Sequence, residues 1–253
     1  MPVSSSRRIF VGDVHGHYDA LMRLLETIAP NSDDQIYFVG DLIDRGPKSA
    51  QVIEFVRSQG YGCVMGNHEQ MLLEAFPDSK VSQHLLQAWL HSGGYTTVAS
   101  YATPESLLEN LVWLRSLPPY LDLGDLWLVH AGVHPHLPIQ AQTSHEFCWI
   151  REEFHSTPKP YFDDKLIITG HTITFTLPGV PAGAVARGKG WLNIDTGAYH
   201  PKSGWLTAVD MTHQQVYQVN VFQQASRSLP LAEAVVEIEP SQMHLRRQLI
   251  QTL

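Results

Sequence analysis

The sequence is poor in cysteine and has no long apolar run, and each shortage excludes a class of protein. Only two of the 253 residues are cysteines, and neither Cys63 nor Cys148 has a CxxC partner or zinc-type spacing, so a disulfide framework is not expected. No apolar run approaches the ~18 residues of a membrane helix. The amino terminus reaches Gly12 and Asp13 before any run long enough for a signal peptide. We therefore expect a soluble, cytoplasmic protein with no membrane partner.

Positive charge is also scarce, because 17 Lys and Arg face 25 Asp and Glu for a formal net charge of -8. Sequence-independent binding to nucleic acid needs a basic face that displaces counterions from phosphates. No nucleic-acid partner is therefore expected. Histidine is abundant instead, with 14 residues, and imidazole is a common transition-metal ligand and acid–base group.

Between Arg7 and Glu69, short apolar runs alternate with helical patterns, which is typical of a βαβαβ unit in an α/β protein. Parallel strands with right-handed crossovers open their carboxyl ends at one edge of a sheet, where ligands gather. Each predicted strand ends at a glycine. The predicted strands are residues 9–11, 36–39 and 61–65.

The rest of the chain predicts helices over about residues 80–117, interrupted at His91–Gly94, and then a second sheet. Its predicted strands are residues 126–129, 166–168, 191–194, 206–209 and 216–221. We expect one domain over residues 1–225 and a C-terminal extension over residues 226–253 packed on the same domain. An amphipathic helix is predicted around Met243, Leu245, Leu249 and Leu253, either packed on this domain or forming a dimer contact.

Polar residues follow the first predicted strand in Gly12-Asp13-Val14-His15-Gly16. Residues i and i+2 of an extended segment point the same way, so Asp13 and His15 can reach one point as two ligands of a metal. The alternative is a structural role, in which Asp13 caps the next helix beside a solvated His15.

The second strand ends in Gly40-Asp41-Leu42-Ile43-Asp44-Arg45-Gly46-Pro47. Two carboxylates here precede Arg45, whose guanidinium suits forked contacts with phosphate. An Asp44–Arg45 surface pair is the structural alternative, but it does not explain why Gly–Asp recurs at two strand ends.

The third strand ends in Gly66-Asn67-His68-Glu69. Asn67 can give its carbonyl oxygen to a metal and His68 can transfer a proton. A structural role is expected for Glu69, since negative charge is favourable in the first turn of a helix. Three neighbouring strand ends thus carry polar side chains, namely Asp with His, two Asp with Arg, and Asn with His. Together they predict a functional site at one edge of the sheet.

The motifs GDVHG, GDLIDRG and GNHE, in this order and spacing, resemble the signature of the phosphoprotein phosphatase family of the calcineurin-like metallophosphoesterases, especially its bacterial and phage serine/threonine protein phosphatases. The resemblance covers roughly residues 7–221. It implies an αββα sandwich, with two central mixed β-sheets flanked by helices. Further matching motifs are Val129-His130-Ala131-Gly132, Trp149-Ile150-Arg151, Gly170-His171-Thr172 and Asp195-Thr196-Gly197.

The resemblance also implies a site with two divalent transition-metal ions, manganese first and iron or zinc as alternatives. A hydroxide bridging the two ions would attack phosphorus, with Asp41 as the bridging ligand. The implied metal ligands are Asp13, His15, Asp41, Asn67, His130 and His171. The implied substrate-binding residues are Arg45, Asn67 and Arg151. The implied catalytic residues are His68 as general acid, Asp44 that orients it, Arg45 and Arg151.

These residues lead us to expect a metal-dependent phosphomonoesterase acting on phosphoserine and phosphothreonine, with phosphotyrosine as a further substrate, on a phosphorylated protein or peptide partner. The alternative is a symmetrical diadenosine tetraphosphate hydrolase, whose family usually has a non-acidic residue in place of Asp44 and GNHD instead of GNHE. Both differences favour the phosphatase, because alkyl phosphates are poor leaving groups and gain most from the Asp44–His68 pair. A further alternative is a catalytically inactive phospho-ligand binding protein.

The remaining histidines are interpreted conservatively. His17, His134 and His136 lie beside site motifs and are expected to be solvated loop residues. The others, including His145, have no motif to support a role. The tryptophan and leucine stripes are expected to form core.

Overall fold

A computed structural model describes residues 6–77 and 81–243. The strands are β1 Arg8–Val11, β2 Gln35–Phe38, β3 Gly62–Cys63, β4 Tyr120–Asp122, β5 Leu126–Val129, β6 Leu166–Thr169, β7 Val185–Gly188, β8 Trp191–Asn193, β9 Trp205–Asp210, β10 Gln215–Asn220, β11 Ser226–Pro230 and β12 Val235–Glu237. The helices are α1 Tyr18–Ile28, α2 Ser49–Ser58, α3 Asn67–Ala75, α4 Gln83–Trp89, α5 Tyr95–Ser100, α6 Pro104–Leu114, α7 Ser144–Trp149, α8 Glu152–His155 and α9 Leu231–Ala234.

Two six-stranded mixed sheets form the centre of the fold. The first has the order β11-β10-β9-β1-β2-β3, in which β1, β2 and β3 are parallel. The second has the order β12-β7-β8-β6-β5-β4, in which β5, β6 and β8 are parallel. Helices flank both sheets, so the expected α/β sandwich is confirmed.

Strand β1 shows how the sequence builds these layers. Ile9 and Val11 are buried in the cluster that packs against α1 and α2, whereas Phe10 belongs to the cluster between the sheets, with Leu128 and Ile168 of the second sheet. Alternate side chains of a strand point to opposite faces, so a strand covered on both sides must be apolar at every position. Burying each such side chain contributes ~1.5–3 kcal/mol.

Helix α1 follows from its apolar spacing. Leu21, Leu24 and Ile28 recur on one face and are all buried. The helix ends at Ala29, which has a φ of 47° and donates its backbone N–H to the carbonyl oxygen of Leu25. Pro30 then prevents the helix from continuing.

The structure differs from the prediction in its short elements. Strand β3 is only two residues long, although the backbone N–H of Val64 still donates to the carbonyl oxygen of Phe38 in β2, and the N–H of Met65 donates on its other side to Pro118. The predicted break in the middle helices is a kink at Gly93, which has a non-helical φ of 119° inside the π-helical turn Leu90–Gly94. Strands β4, β7, β11 and β12 are additional, and they are edge strands or neighbours of an edge.

The last described residues join both sheets, since β11 pairs with β10 and β12 with β7. The division of the chain at residue 225 stays a prediction. The amphipathic helix predicted around Met243 lies almost wholly outside the described residues. No helix within residues 6–77 and 81–243 is both long and apolar enough to cross a bilayer.

Candidate metal centre

All ten site residues predicted from the sequence fall in one connected cluster at the carboxyl ends of the strands. The first three groups follow β1 and β2 and begin α3, as the βαβαβ pattern predicts. His130 directly follows β5, and a second histidine follows β6 after Gly170. Eight of the ten side chains are buried, while Arg45 is half-buried and Arg151 is exposed.

The backbone of the cluster is strained. Seven residues other than glycine have a positive φ in the described part of the chain, and five of them are predicted site residues. They are His15, Asp41, Asp44, Arg45 and His171, with φ of 47°, 49°, 72°, 69° and 66°. Residues with a side chain avoid this conformation unless their surroundings enforce it, and such strain is typical of functional sites.

Asp41 lies at the middle of the cluster. Its Oδ1 is 3.4 Å from His130 Nε2, and its Oδ2 is 3.6 Å from His15 Nε2. Burial opposes ionisation, but the surrounding imidazoles lower the pKa of this carboxyl below its usual range. Two sets of ligand atoms lie within 4.8 Å of one another and share Asp41: His15, Asp41 and His68, and Asp41, His130 and His171.

Two imidazoles of the second set face Asn67 Oδ1, since His171 Nδ1 lies 2.8 Å and His130 Nε2 lies 2.9 Å from this oxygen. His130 Nδ1 donates to the carbonyl oxygen of Val39 at 2.8 Å, and burial lowers its pKa, so the neutral ring points a lone pair at Asn67 Oδ1, 2.9 Å away. The Nε2 atom of His171 is buried with no hydrogen-bond partner among the described residues. Imidazole nitrogens and carboxylate and amide oxygens arranged in this way fit a divalent transition-metal ion.

Asp13 and His15 form the outer part of the centre. His15 Nδ1 donates to the carbonyl oxygen of Ile43 at 2.9 Å, and burial lowers the pKa of the ring. The neutral ring keeps a lone pair on Nε2, which accepts from Arg45 and could instead coordinate a metal. The oxygens of Asp13 accept from the backbone N–H of His171 at 3.1 and 3.3 Å, and Asp13 belongs to neither 4.8 Å set. Its role as a ligand stays a prediction. Burial and the carboxylate of Asp195 raise its pKa, a cost that a bound cation would relieve.

Asp44 holds His68 in place. His68 Nδ1 donates to Asp44 Oδ2 at 2.6 Å, and Trp89 Nε1 donates to the same oxygen at 2.9 Å. Thr97 Oγ1 donates to Asp44 Oδ1 at 2.6 Å. Burial alone would lower the pKa of His68, but the carboxylates of Asp41 and Asp44 outweigh it and raise that pKa. The imidazole is therefore held in one orientation and favoured in its protonated form.

Glu69 has the structural role expected of it. Its two carboxylate oxygens accept the backbone N–H groups of Asp41, Leu42, Ile43 and Gly66 at 2.8 to 3.3 Å. The turn that carries Asp41 offers these N–H groups no backbone acceptor, and the buried carboxylate of Glu69 takes that place. Gly66 allows this approach, because a Cβ there would lie 2.3 Å from the Asp41 carboxylate.

Arg45 stands at the edge of the centre. Its Nη1 donates to His15 Nε2 at 3.0 Å, and its guanidinium lies 3.9 Å above the ring of Tyr199, a cation–π contact. Its backbone N–H donates to the carbonyl oxygen of Gly93 in the π-helical turn at 3.2 Å. Gly93 has a φ of 119°, and a Cβ there would lie 2.8 Å from Arg45 Cγ, so only glycine permits this contact.

Arg151 borders the centre beside His171, where its Nη1 donates to the His171 carbonyl oxygen and to Thr172 Oγ1, both at 3.2 Å. These two contacts orient the guanidinium and leave other N–H groups for a ligand. Both predicted phosphate-binding arginines are therefore adjacent to the candidate metal ligands.

Four residues near the reacting groups were not assigned to the site by the sequence. Trp89 was interpreted only as core, and Thr97 had no motif. Tyr199 lies edge-on to His15 at 4.8 Å, and its position two residues after the Asp195-Thr196-Gly197 motif is the signal that would have found it. Asp195 itself is buried, and burial and Asp41 raise its pKa to about 6.

A large apolar pocket of about 850 Å³ lies elsewhere, among α4, α5 and α6. None of its lining residues is a predicted site residue. The volume of a pocket therefore does not identify the site in this protein, whereas the converging ligands do.

The sequence model of the family described as Calcineurin-like phosphoesterase matches residues 6–175, so this chain belongs to that family of metallophosphoesterases. A curated relative from Vibrio campbellii, named "Bis(5'-nucleosyl)-tetraphosphatase, symmetrical", is 30% identical over 170 residues, which are 62% of this chain and 60% of the relative. Relatives from other bacteria carry the same name. The chain thus spans 60% or less of the length of these relatives.

Solved structures share the fold. A structure described as a putative diadenosine tetraphosphatase has a TM-score of 0.62 at 21% identity, covering 91% of this chain and 96% of that one. A protein serine/threonine phosphatase from Saccharomyces cerevisiae has a TM-score of 0.57 at 15% identity, covering 82% and 74%. At such identities the likeness shows the fold alone.

The expectation of a phosphorylated protein or peptide partner is wrong, because the curated relatives are named for a nucleosyl tetraphosphate. The two residues that favoured a protein substrate do not discriminate. The carboxylate oxygens of Glu69 accept backbone N–H groups of the turn that begins at Asp41, so they are not available to a substrate. Asp44 orients a proton donor, His68, from which an alkoxide or a phosphate leaving group can take a proton.

Proposed function

We propose that this protein hydrolyses a dinucleoside tetraphosphate symmetrically, with diadenosine tetraphosphate as the first substrate to test. The observation that carries the proposal is the shared name of the curated relatives, whose matches cover 62%, 54% and 50% of this chain. The buried cluster of carboxylates, imidazoles and arginines supports it, since this chemistry suits a polyphosphate.

The proposed centre holds two divalent ions, with manganese as the expected metal. Such ions lower the pKa of a water molecule and neutralise phosphate charge. The proposed ligands are Asp13, His15, Asp41, Asn67, His130 and His171. The imidazoles of these ligands are neutral and only Asp13 and Asp41 are carboxylates, so two divalent ions would leave the centre positive, which attracts an anionic substrate.

Arg45 and Arg151 are proposed to bind the oxygens of the attacked phosphate from two sides. Each guanidinium is already fixed, one by the Tyr199 ring and the other by backbone and hydroxyl acceptors. Fixed donors stabilise charge that develops on the phosphoryl oxygens in the transition state without further reorganisation. Asn67 is proposed as a further contact to the substrate.

His68 is proposed as the general acid. The oxygen of one water bonds to an inner phosphorus, the central P–O–P bridge breaks, and the leaving nucleoside diphosphate keeps the bridging oxygen. That oxygen takes a proton from His68 Nε2, while Nδ1 continues to donate to Asp44. Water and one dinucleoside tetraphosphate thereby give two nucleoside diphosphates.

The test is product analysis with the manganese-loaded protein and diadenosine tetraphosphate. The expected chromatogram contains ADP alone. Asp41→Asn, which removes the shared carboxylate, should abolish turnover, whereas the surface variant Asp19→Asn should not change it. AMP with ATP as products would refute the symmetrical reaction, and the absence of turnover would refute the proposed function.

A further inference from the structure

A second, smaller pocket adjoins the candidate metal centre. It has a volume of about 290 Å³ and lies where the loop after β5 meets α7 and α8. Its lining includes His134, His145, Trp149, Ile150, Arg151 and Glu153. Only Arg151 among these was assigned a role in the reaction.

The pocket is continuous with the centre through two of its lining residues. Trp149 lies edge-on to the candidate ligand His171, with 6.2 Å between ring centroids. Arg151 donates to the carbonyl oxygen of the same histidine. A substrate phosphate bound by Arg151 therefore has its next groups at the mouth of this pocket.

The lining favours an uncharged, planar group over another phosphate. One indole and two imidazoles offer flat surfaces, on which nucleobases stack regardless of their identity. Glu146 also lines the pocket and uses one carboxylate oxygen to accept from Thr143 at the start of α7. The Glu153 side chain is exposed and makes no hydrogen bond or ion pair within residues 6–77 and 81–243, so its carboxylate is available for hydroxyl or amino donors. Two carboxylates against one guanidinium would repel a phosphate.

We propose that this pocket binds one nucleoside of the dinucleoside tetraphosphate, an inference that rests on the proposed function. The base stacks against Trp149, His134 and His145, and Glu153 accepts from a ribose hydroxyl or an exocyclic amine. Pockets for small molecules measure roughly 300–1,000 Å³, so a volume of about 290 Å³ suits one nucleoside and not the whole dinucleotide. The polyphosphate remains in the open at the two arginines.

The test uses the variants His145→Ala and Glu153→Ala. Both residues line the pocket and are exposed, so their replacement leaves the core intact. Stacking of a base on a ring changes binding roughly five- to 150-fold on substitution by alanine. We expect KM for diadenosine tetraphosphate to rise about tenfold in His145→Ala, with kcat within twofold. The ratio of kcat/KM for this substrate to that for p-nitrophenyl phosphate should fall by the same factor. His84→Ala, an exposed histidine of α4 outside the pocket, is the matched control.

Product binding separates this inference from the proposed function. ADP should bind the manganese-loaded protein about tenfold more tightly than pyrophosphate does, and His145→Ala should remove that difference. An unchanged KM in both variants, or an equal loss on p-nitrophenyl phosphate, would overturn the nucleoside pocket. If the wild-type protein does not cleave the dinucleotide, the proposed function fails, and the comparison of ADP with pyrophosphate decides the pocket by itself.

Discussion

Asp44 and His68 form a buried carboxylate–imidazole pair, with 2.6 Å between Oδ2 and Nδ1. Asp44 is fully buried and His68 is 2% exposed, so water does not compete for this hydrogen bond. The pair leaves His68 Nε2 directed toward the centre, 4.0 Å from Asp41 Oδ2.

Replacing the proton donor should matter most when the leaving group is poor. His68→Asn should lower kcat on glycerol phosphate by about 10²- to 10⁴-fold and on p-nitrophenyl phosphate by much less, because an aryl oxide needs little protonation. Steady-state rates on both substrates test this. Equal losses on the two would count against His68 as the acid.

Trp89 should act on the reaction through Asp44. Trp89→Phe keeps a ring against Gly94 but removes the N–H that donates to Asp44 Oδ2. We expect kcat on glycerol phosphate to fall about tenfold while bound metal per chain, measured by mass spectrometry of the digested protein, stays constant. Trp113→Phe, in α6, is the control. A loss of metal with the loss of rate would instead indicate general damage to the site.

Glu69 should contribute to stability as well as to the site. Glu69→Ala leaves four backbone N–H groups without their acceptor, and each unsatisfied buried donor costs ~1–3 kcal/mol. We expect the free energy of unfolding in urea to fall by at least ~3 kcal/mol. Glu74→Ala on the exposed face of the same helix should change it by less than ~0.5 kcal/mol. Similar values for the two variants would contradict the role of Glu69.

Asp34 should make stability depend on pH in the acid range. Burial opposes ionisation, but hydrogen bonds from Arg7 lower the pKa of Asp34 from 3.8 to about 2. A lowered carboxyl pKa stabilises the fold above the unfolded value, and this contribution is lost as the pH falls toward the folded value. Because the neighbouring residues 31–33 are exposed and solvent screens charges at this edge of the fold, its contribution is about 1 kcal/mol rather than the full shift.

Urea unfolding of the wild-type protein and Asp34→Asn at pH 6 and pH 3 measures this contribution. The difference between the two proteins should be about half as large at pH 3. Asp33→Asn, at an exposed neighbouring position, should show no such change. A difference that is the same at both pH values would show that the charge of Asp34 does not stabilise the fold.

Asp13 should affect metal occupancy. Asp13→Asn keeps an oxygen for the backbone N–H of His171 but replaces a carboxylate by a weaker ligand. After dialysis, we expect bound manganese to fall from about two ions per chain toward one, with activity lost on every substrate. Unchanged occupancy and rate would remove Asp13 from the centre.

Much of the site could be predicted from the sequence because its parts are local. Asp13 and His15 follow one strand, Asp41 follows the next, and Asn67 begins the helix after the third. Parallel topology alone brings such strand ends to one edge. The long spacing to His130 and His171 was bridged by the family resemblance rather than by physical reasoning.

The contacts that the sequence did not reveal are between distant segments. Trp89 looks like one more apolar residue of α4, but its side-chain N–H donates to Asp44, 45 residues earlier in the chain. The short strands β7 and β12 show no clear alternation of apolar and polar residues. Their extended conformation depends on pairing with neighbouring strands. The substrate was misjudged for a related reason, since the fate of Glu69 depends on a turn 26 to 28 residues earlier.

Residues 226–237 contribute an outer strand to each sheet, β11 to the first and β12 to the second, with only α9 between them. Detachment of this one segment would uncover β10 and β7 together, leaving two rows of backbone groups without partners. The margins of the two sheets should therefore open in a single cooperative event, and their amide hydrogens should exchange with solvent at matching rates.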